Sequence, residues 1–254
     1  MIEIDSFLPR SGTFAGKVLR LPLRLLPSGM TIPILRGPLR GKKWILGSQR
    51  HAFWLGSYEP HIQRLMVQEL KKGSTFYDIG ANVGFYSLLA SFLVAPGKVF
   101  AFEPLPTNID YLRRHLALNA IRNVDVLEVA LSDLTGTGQF QAEPTRAMGR
   151  LEDRGNLCVK MSSLDALLES GEISPPDSIK MDIEGAEFKA LLGAKICFAK
   201  YKPKLLLATH GREIHEKCTQ LLRSWNYEIT VVEMQSADRG EVIATPTPSS
   251  PTAT

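Results

Sequence analysis

The chain has 254 residues, 44 % of them apolar, which suits one large domain, or a domain with a small extension, and is enough to fill a core. No apolar run approaches the ~18 residues of a membrane span, and Glu3 and Asp5 stand where a secretion signal would be basic, so the expectation is a soluble, cytoplasmic protein. The formal net charge of +4 is unevenly placed: residues 1–50 carry nine Lys and Arg against Glu3 and Asp5, making this stretch +7 and the remainder −3, an asymmetry that leaves open a weak contact with an anionic surface.

In chain order, residues 1–50 read as a basic, irregular N-terminal extension. Within it, Phe14–Pro27 alternates apolar and basic residues, and Pro22 and Pro27 break any long helix; docking on the main domain is the expected use. Leu39–Leu46 resembles a short hairpin turning at Gly41. Ile62, Leu65, Met66 and Leu70 fall at helical spacing and predict a helix over 58–71. From Thr75 the pattern becomes strand, helix, strand, helix. Thr75–Ile79 is a buried strand, 80–84 a turn, and 85–94 an apolar helix stopped by Pro96-Gly97. Lys98–Phe102 is a second strand, followed by a helix capped by Thr107 with Ile109, Leu112 and Leu116 toward the sheet. Val124–Val129 is a third strand, 134–160 a run of short β-like pieces, and Ser163 caps a helix reaching Leu168.

Ser178–Ile183 is the fourth strand, 186–192 a short helix, Leu205–Thr209 the fifth strand, and Glu213–Trp225 a helix. Tyr227–Val232 and Glu241–Ala244 make a terminal antiparallel pair, and 245–254 is a Pro- and Thr-rich tail expected to be disordered. This alternation requires right-handed crossovers and a mostly parallel sheet covered on both faces. The implied units are the extension (1–50), one α/β domain (51–244) and the tail (245–254). Cys158, Cys197 and Cys218 are far apart and form no C-x-x-C pair, so neither a disulfide framework nor a zinc site is expected.

Three segments carry chemistry. Asp78-Ile-Gly-Ala-Asn-Val-Gly84 lies where the first strand of the alternating region meets its helix. Gly80 permits a tight turn and close approach of a ligand, while the helix N-terminus offers unpaired N–H groups. The spacing is G-x-x-x-G, with Asn82 where a dinucleotide fingerprint has its second glycine. Asp78 places a carboxylate beside the turn, which repels a pyrophosphate but suits the ammonium of a sulfonium-bearing amino acid. Glu103 ends the second strand, 23 residues after Gly80, where an acidic side chain can accept both ribose hydroxyls. In Lys180-Met-Asp-Ile-Glu-Gly-Ala-Glu187, the carboxylates Asp182, Glu184 and Glu187 gather at the carboxyl end of the fourth strand. There they need a cation, a proton or donors; for Glu187, compensation of the helix N-terminus is an equal alternative.

Together these segments resemble the FkbM family of S-adenosylmethionine-dependent methyltransferases. The resemblance rests on Phe76–Ser87, Val99–Pro104 and Ile179–Glu187, with further matches at Trp54–Glu59, Ala130–Asp133, Gly136 and Ser163–Asp165, and covers about residues 50 to 233. It implies an α/β, Rossmann-like methyltransferase fold with a mostly parallel seven-stranded sheet and helices on both faces. It implies S-adenosylmethionine as cofactor and a hydroxyl of a sugar, lipid or natural product as acceptor. Asp78, Gly80 and Asn82 would line the methionine part, with Ala81 and Gly84 in the same turn. Glu103, with Pro104 beside it, would hold the ribose; Ala130–Asp133, Ser132 included, would lie near adenine; Asp182 and Glu184 would lie near the transferred methyl. Many relatives carry Glu two residues before the histidine that follows the fifth strand, where this chain has Ala208 before His210.

Methyl transfer from a sulfonium mainly requires alignment, and an alcohol acceptor also benefits from proton removal. His210 and Asp182 are the two candidate bases, and a carboxylate-bound divalent metal is a third option, although no resident metal is expected. A nicotinamide dehydrogenase would need the missing glycine. An amine-directed nucleic-acid enzyme would need an N-P-P-Y-like turn after the fourth strand, and Ser174-Pro-Pro-Asp177 precedes it. Nucleic acid is therefore not the expected partner. A non-catalytic cofactor-binding module remains a rival, with the Asp182/Glu184 pair against it.

Overall fold

The computed structural model describes residues 27–143, 148–151, 155–236 and 239–247. Most of Phe14–Pro27 and residues 248–254 of the tail, and with them the expectations placed there, lie outside the described residues; Thr245 and Pro246, expected to be disordered, instead extend the last strand because they pair with Glu228 and Tyr227. The first strands, β1 (Thr31–Pro33) and β2 (Lys43–Ile45), pair antiparallel. The expected turn at Gly41 exists, with φ +84°, but it closes this wider pair and not a hairpin within 39–46. The reason is burial: Leu39 is fully enclosed and anchors the connection in the core. Residues 34–46 are in fact part of the domain's packing, since Ile34, Leu39, Trp44 and Leu46 share one apolar cluster with Phe53, Phe85 and Leu88.

A short helix α1 (His51–Leu55) follows, ended by Gly56 at φ +73°, and then α2 (Pro60–Glu69), the helix expected over 58–71. Pro60 opens α2, where its missing N–H leaves no bond unmade. The alternating region then unfolds as read: β3 (Phe76–Ile79), α3 (Phe85–Val94), β4 (Val99–Phe102), α4 (Pro106–Leu118) and β5 (Val124–Leu127). Thr107 is not the cap of α4; Leu105 precedes the helix without a side-chain cap and Pro106 starts it. Residues 130–162 form a separate four-stranded sheet from β6 (Ala130–Leu131), β7 (Gly136–Glu143), β8 (Met148–Leu151) and β9 (Leu157–Ser162) in the order β6-β9-β7-β8. Ser163 caps α5 (Leu164–Glu169), its hydroxyl oxygen accepting the Ala166 N–H at 3.1 Å. Then come β10 (Ser178–Met181), α6 (Glu187–Leu192), α7 (Lys195–Tyr201), β11 (Lys204–His210), α8 (Arg212–Ser224), β12 (Tyr227–Ser236) and β13 (Arg239–Pro246).

The main sheet has seven strands in the order β12-β13-β11-β10-β3-β4-β5. Strands β11, β10, β3, β4 and β5 run parallel, while β13 is antiparallel to both β11 and β12. The chain moves outward from β3 to β5 and later returns to β10 on the other side of β3. That reversal opens a crevice at the carboxyl ends of β3 and β10, the place where such sheets bind ligands.

Alternation along β3 sends neighbouring side chains to opposite layers. Tyr77 and Ile79 enter the cluster under α5, α6 and α8 with Phe102, Met181 and Leu207, whereas Phe76 joins Trp44, Phe85 and Val99 on the other side. Among the described residues, no helix is long and apolar enough to cross a membrane.

Candidate active site

The site is built on the turn after β3. Gly80 has φ +82°, and a Cβ there would stand 2.0 Å from the Asp182 carbonyl oxygen. Only glycine permits both the left-handed conformation and this approach of the β3 turn to the β10 turn. Asn82 is also left-handed, at φ +51°, which Asn tolerates better than most residues. Its Oδ1 accepts the Val83 N–H at 2.8 Å and the Gln49 side-chain amide at 3.1 Å.

Glu103 follows β4 and reaches across to the same turn. Its Oε2 accepts the Asn82 N–H at 2.8 Å, and its Oε1 accepts the Leu105 N–H at 3.0 Å and the Asn108 amide at 3.2 Å. Burial pushes its pKa up to about 7, against the pull of these three donors. A carboxylate has about four acceptor positions, so Glu103 retains capacity for further donors on its cavity side.

On the opposite wall, β11 ends in His210. Its Nδ1 is 2.8 Å from Glu187 Oε1, and its Nε2 lies 3.4 Å from Glu184 Oε2 and 3.7 Å from Asp182 Oδ1. Glu187 is fully buried, and its Oε1 also accepts the N–H groups of Ile183 and Gly185, so it braces the β10 turn as well as the imidazole. Burial alone would lower the His210 pKa, but the Glu187 hydrogen bond and the three carboxylates together raise it above the ordinary histidine value.

One cavity unites these groups. Gly80, Ala81, Asn82, Glu103, Pro104, Asp182, Glu184 and His210 all line it. Asp78, Gly84 and Ser132 stand behind that lining. Asp78 shares the face of β3 with Phe76, so its carboxylate points under α3, where Oδ2 accepts the Ser87 hydroxyl at 2.6 Å and Oδ1 is buried without a hydrogen-bond partner among the described residues. Gly84, at φ +89°, lets α3 start close to Leu112. Ser132 is buried and donates to Asp133 at 3.0 Å, while its neighbours Ala130 and Leu131 reach the cavity.

Sequence reasoning missed Arg50, Tyr58, Glu59, Tyr86, Lys180 and Glu241, which also line the cavity. Tyr86 donates its hydroxyl to Glu59 at 2.5 Å, and the Lys180 ammonium lies 4.6 Å over the Tyr86 ring. Lys180 was within reach: a lysine inside the apolar strand Ser178–Met181 is costly unless it faces charge. Glu59, with φ +40°, carries no comparable signal in sequence.

The cavity's carboxylates (Glu59, Glu103, Asp182, Glu184, Glu241) outnumber its cationic or protonatable groups (Arg50, Lys180, His210). Such a donor set disfavours a pyrophosphate. It fits a ligand that brings a ribose, an ammonium and a sulfonium, and S-adenosylmethionine is such a ligand.

A parallel sheet with this glycine turn, an acidic residue ending the next strand and a carboxylate-lined cleft at the reversal point defines an α/β nucleotide-binding enzyme of the methyltransferase class. Residues 78–229 match the family described as the Methyltransferase FkbM domain, and the chain belongs to that family of S-adenosylmethionine-dependent methyltransferases. It is 33 % identical over 137 residues to the hexuronic acid methyltransferase AglP of Haloferax volcanii, a match covering 53 % of this chain and 56 % of that protein. It is 29 % identical over 162 residues to methyltransferase sdnD of Sordaria araneosa, covering 50 % and 62 %. The chain thus spans little more than half the length of these curated relatives. The crystal structure of methyltransferase FkbM from Methylobacillus flagellatus KT shares the fold, with a TM-score of 0.53 at 21 % identity over 69 % of this chain and 44 % of that one. The ribosomal protein L11 methylase of Lactobacillus delbrueckii subsp. bulgaricus does so with 0.50 at 14 %, over 75 % and 80 %.

Proposed function

We propose that this protein transfers the methyl group of S-adenosylmethionine to a hydroxyl oxygen of a sugar, lipid or natural product. The observation that carries the reading is the convergence of Glu103, Asp182, Glu184 and His210 on one cavity at the sheet's reversal point. The similarity to a hexuronic acid methyltransferase of Haloferax volcanii supports a sugar as acceptor.

When bound, S-adenosylmethionine supplies an electrophilic methyl on a sulfonium, open to in-line displacement. Glu103 accepts the ribose hydroxyls, with Pro104 shaping the same wall. Gly80, Ala81 and Asn82 line the methionine part, and Ala130 and Leu131 border the adenine, with Ser132 behind them. Asp78 acts from behind: it helps hold Lys180, which in turn stands 3.5 Å from Asp182 Oδ2. Asp182 and His210 face the acceptor side, where they orient the hydroxyl and assist removal of its proton.

The free thiols of Cys158, Cys197 and Cys218 accord with a reducing compartment such as the cytoplasm, and the basic residues of 1–50 with a weak contact to an anionic surface. The direct experiment is turnover of methyl-labelled S-adenosylmethionine with a panel of neutral and acidic glycans, glycolipids and small alcohols. Alkali-stable transfer to one acceptor class is the expected result. Tight binding of NAD, with no affinity for S-adenosylhomocysteine, would overturn the proposal.

A further inference from the structure

We infer that Asp182, Glu184 and His210 form a site for a single divalent cation of the Mn²⁺ type, open on its acceptor side. The inference deepens the methyltransferase reading by assigning the means of acceptor orientation, although cation binding itself can be observed without turnover.

The first argument is spacing. His210 Nε2 is 3.4 Å from Glu184 Oε2 and 3.7 Å from Asp182 Oδ1, and all three ligand atoms fall within 4.8 Å of one another. These separations are longer than an ordinary N–H···O hydrogen bond. They match neighbouring ligands around a cation: with bonds of ~2.1–2.3 Å, adjacent positions lie roughly 3.0–3.7 Å apart for octahedral to tetrahedral arrangements.

The second argument lies in what holds the cluster in place. The other nitrogen of His210 is held at 2.8 Å by Glu187, a carboxylate with no exposed surface that is itself fastened by the Ile183 and Gly185 N–H groups. A carboxylate behind a histidine orients the ring and directs the opposite nitrogen, the arrangement found behind metal-bound histidines. Here that nitrogen is aimed between two carboxylates, and its proton would leave as a cation binds. Glu184 holds its position with φ +50°, a conformation that costs a non-glycine residue energy and persists where the surroundings impose it.

The trio His61, Glu233 and Glu241 provides the contrast. There the imidazole nitrogen contacts the carboxylates directly, at 2.6 and 3.1 Å. Those are hydrogen-bond distances with no room for an ion, and they read as a tie between α2 and the β12–β13 pair.

One imidazole and two carboxylates with open positions suit Mn²⁺ or Mg²⁺ better than a structural Zn²⁺ set. The open positions face the cavity lined by these same residues. Two neighbouring oxygens of an acceptor, such as a vicinal diol or a hydroxyl beside a carboxylate, have the right chemistry to fill them.

The test is titration of the metal-free, cofactor-free protein with Mn²⁺, read by electron paramagnetic resonance and calorimetry. One saturable site is expected. His210→Gln and Glu184→Gln should each weaken it at least tenfold, and Glu187→Gln by 10- to 100-fold, as loss of a supporting carboxylate does. Circular dichroism and retained S-adenosylhomocysteine binding report that the variants fold. His61→Gln should leave Mn²⁺ affinity unchanged. Absence of Mn²⁺ binding at millimolar concentration, or binding indifferent to His210→Gln and Glu184→Gln, overturns the inference. Mn²⁺ binding without S-adenosylhomocysteine binding would leave the cation site standing and overturn the methyltransferase reading instead.

Discussion

Asp78 and Lys180 are direct register partners on the adjacent parallel strands β3 and β10, both buried and on the same face of the sheet. Each steadies the other's charged form. Burial raises the Asp78 pKa and Lys180 opposes that rise; for Lys180, burial works against the charge, and Asp182, Asp78 and Glu59 together outweigh it. Removing Lys180 leaves the buried Asp78 carboxylate without its cation, whereas removing Asp78 leaves Lys180 with Asp182 and Glu59. Lys180→Met should therefore destabilise the fold by about 3–5 kcal/mol in urea unfolding. Asp78→Asn in the same chain should restore part of that loss. A fully stable Lys180→Met single variant would show that the pair is not coupled.

Glu103 should make cofactor affinity depend on pH. Its pKa stands at about 7 in the ligand-free protein, and the ionised form is the better acceptor for two hydroxyl donors. Affinity for S-adenosylhomocysteine should thus be full above about pH 7 and fall as the pH drops below it. Glu103→Gln should flatten that dependence. Glu103→Ala should weaken binding by about 1.5–3 kcal/mol, the range for a lost hydrogen bond to a charged group. Isothermal calorimetry across pH 5.5–8.5 decides the point.

His115 should set an acid limit on stability. It stacks on Trp44 with ring centroids 3.7 Å apart, its Nε2 accepts the Ile45 N–H at 3.1 Å, and its Nδ1 lies 2.8 Å from the Val83 carbonyl oxygen. These partners call for the neutral ring, and burial lowers its pKa from 6.5 to about 4. The unfolded chain therefore binds the extra proton first. Stability is full above pH 6.5 and declines as the pH falls from 6.5 toward 4, by up to about 3 kcal/mol from this residue. His115→Gln should lose that decline between pH 6.5 and 4.5, whatever its effect at pH 7.5, as denaturant midpoints at several pH values will show.

On the acceptor side, His210→Ala should lower kcat by roughly 10²–10⁴-fold while affinity for S-adenosylhomocysteine changes little. Asp182→Asn should reduce both, because Asp182 stands beside Lys180 as well as His210. Full activity in His210→Ala would remove the histidine from the chemistry and leave the carboxylates to carry it.

Much of this site is legible in one dimension because its parts are local. The turn Asp78–Gly84 follows an apolar strand, Glu103 ends the next one, and Asp182 with Glu184 follows β10, so strand periodicity already delivers them to one edge of a parallel sheet. Gly80 signals its own necessity, since no other residue takes φ +82° so close to a neighbouring backbone. Even the displacement of Asp78 from the cavity was latent in the alternation that sends Tyr77 and Ile79 to the opposite face.

Other features have no local signature. Trp44 stacks on His115, and Glu187 holds His210 at a separation of 23 residues. Neither contact can be read from spacing, because each joins elements whose relative placement is fixed only when the apolar faces on both sides of the sheet are buried. Thr107 fails as a helix cap for a related reason: Pro106 and the burial of Leu105 set the start of α4 before any side-chain cap can. Sequence by itself determined the sheet, its ligand-binding edge and the chemistry gathered there. The tertiary structure alone decided which carboxylates face the cavity and which support it from behind, because burial of a charge is permitted only where packing supplies its partner.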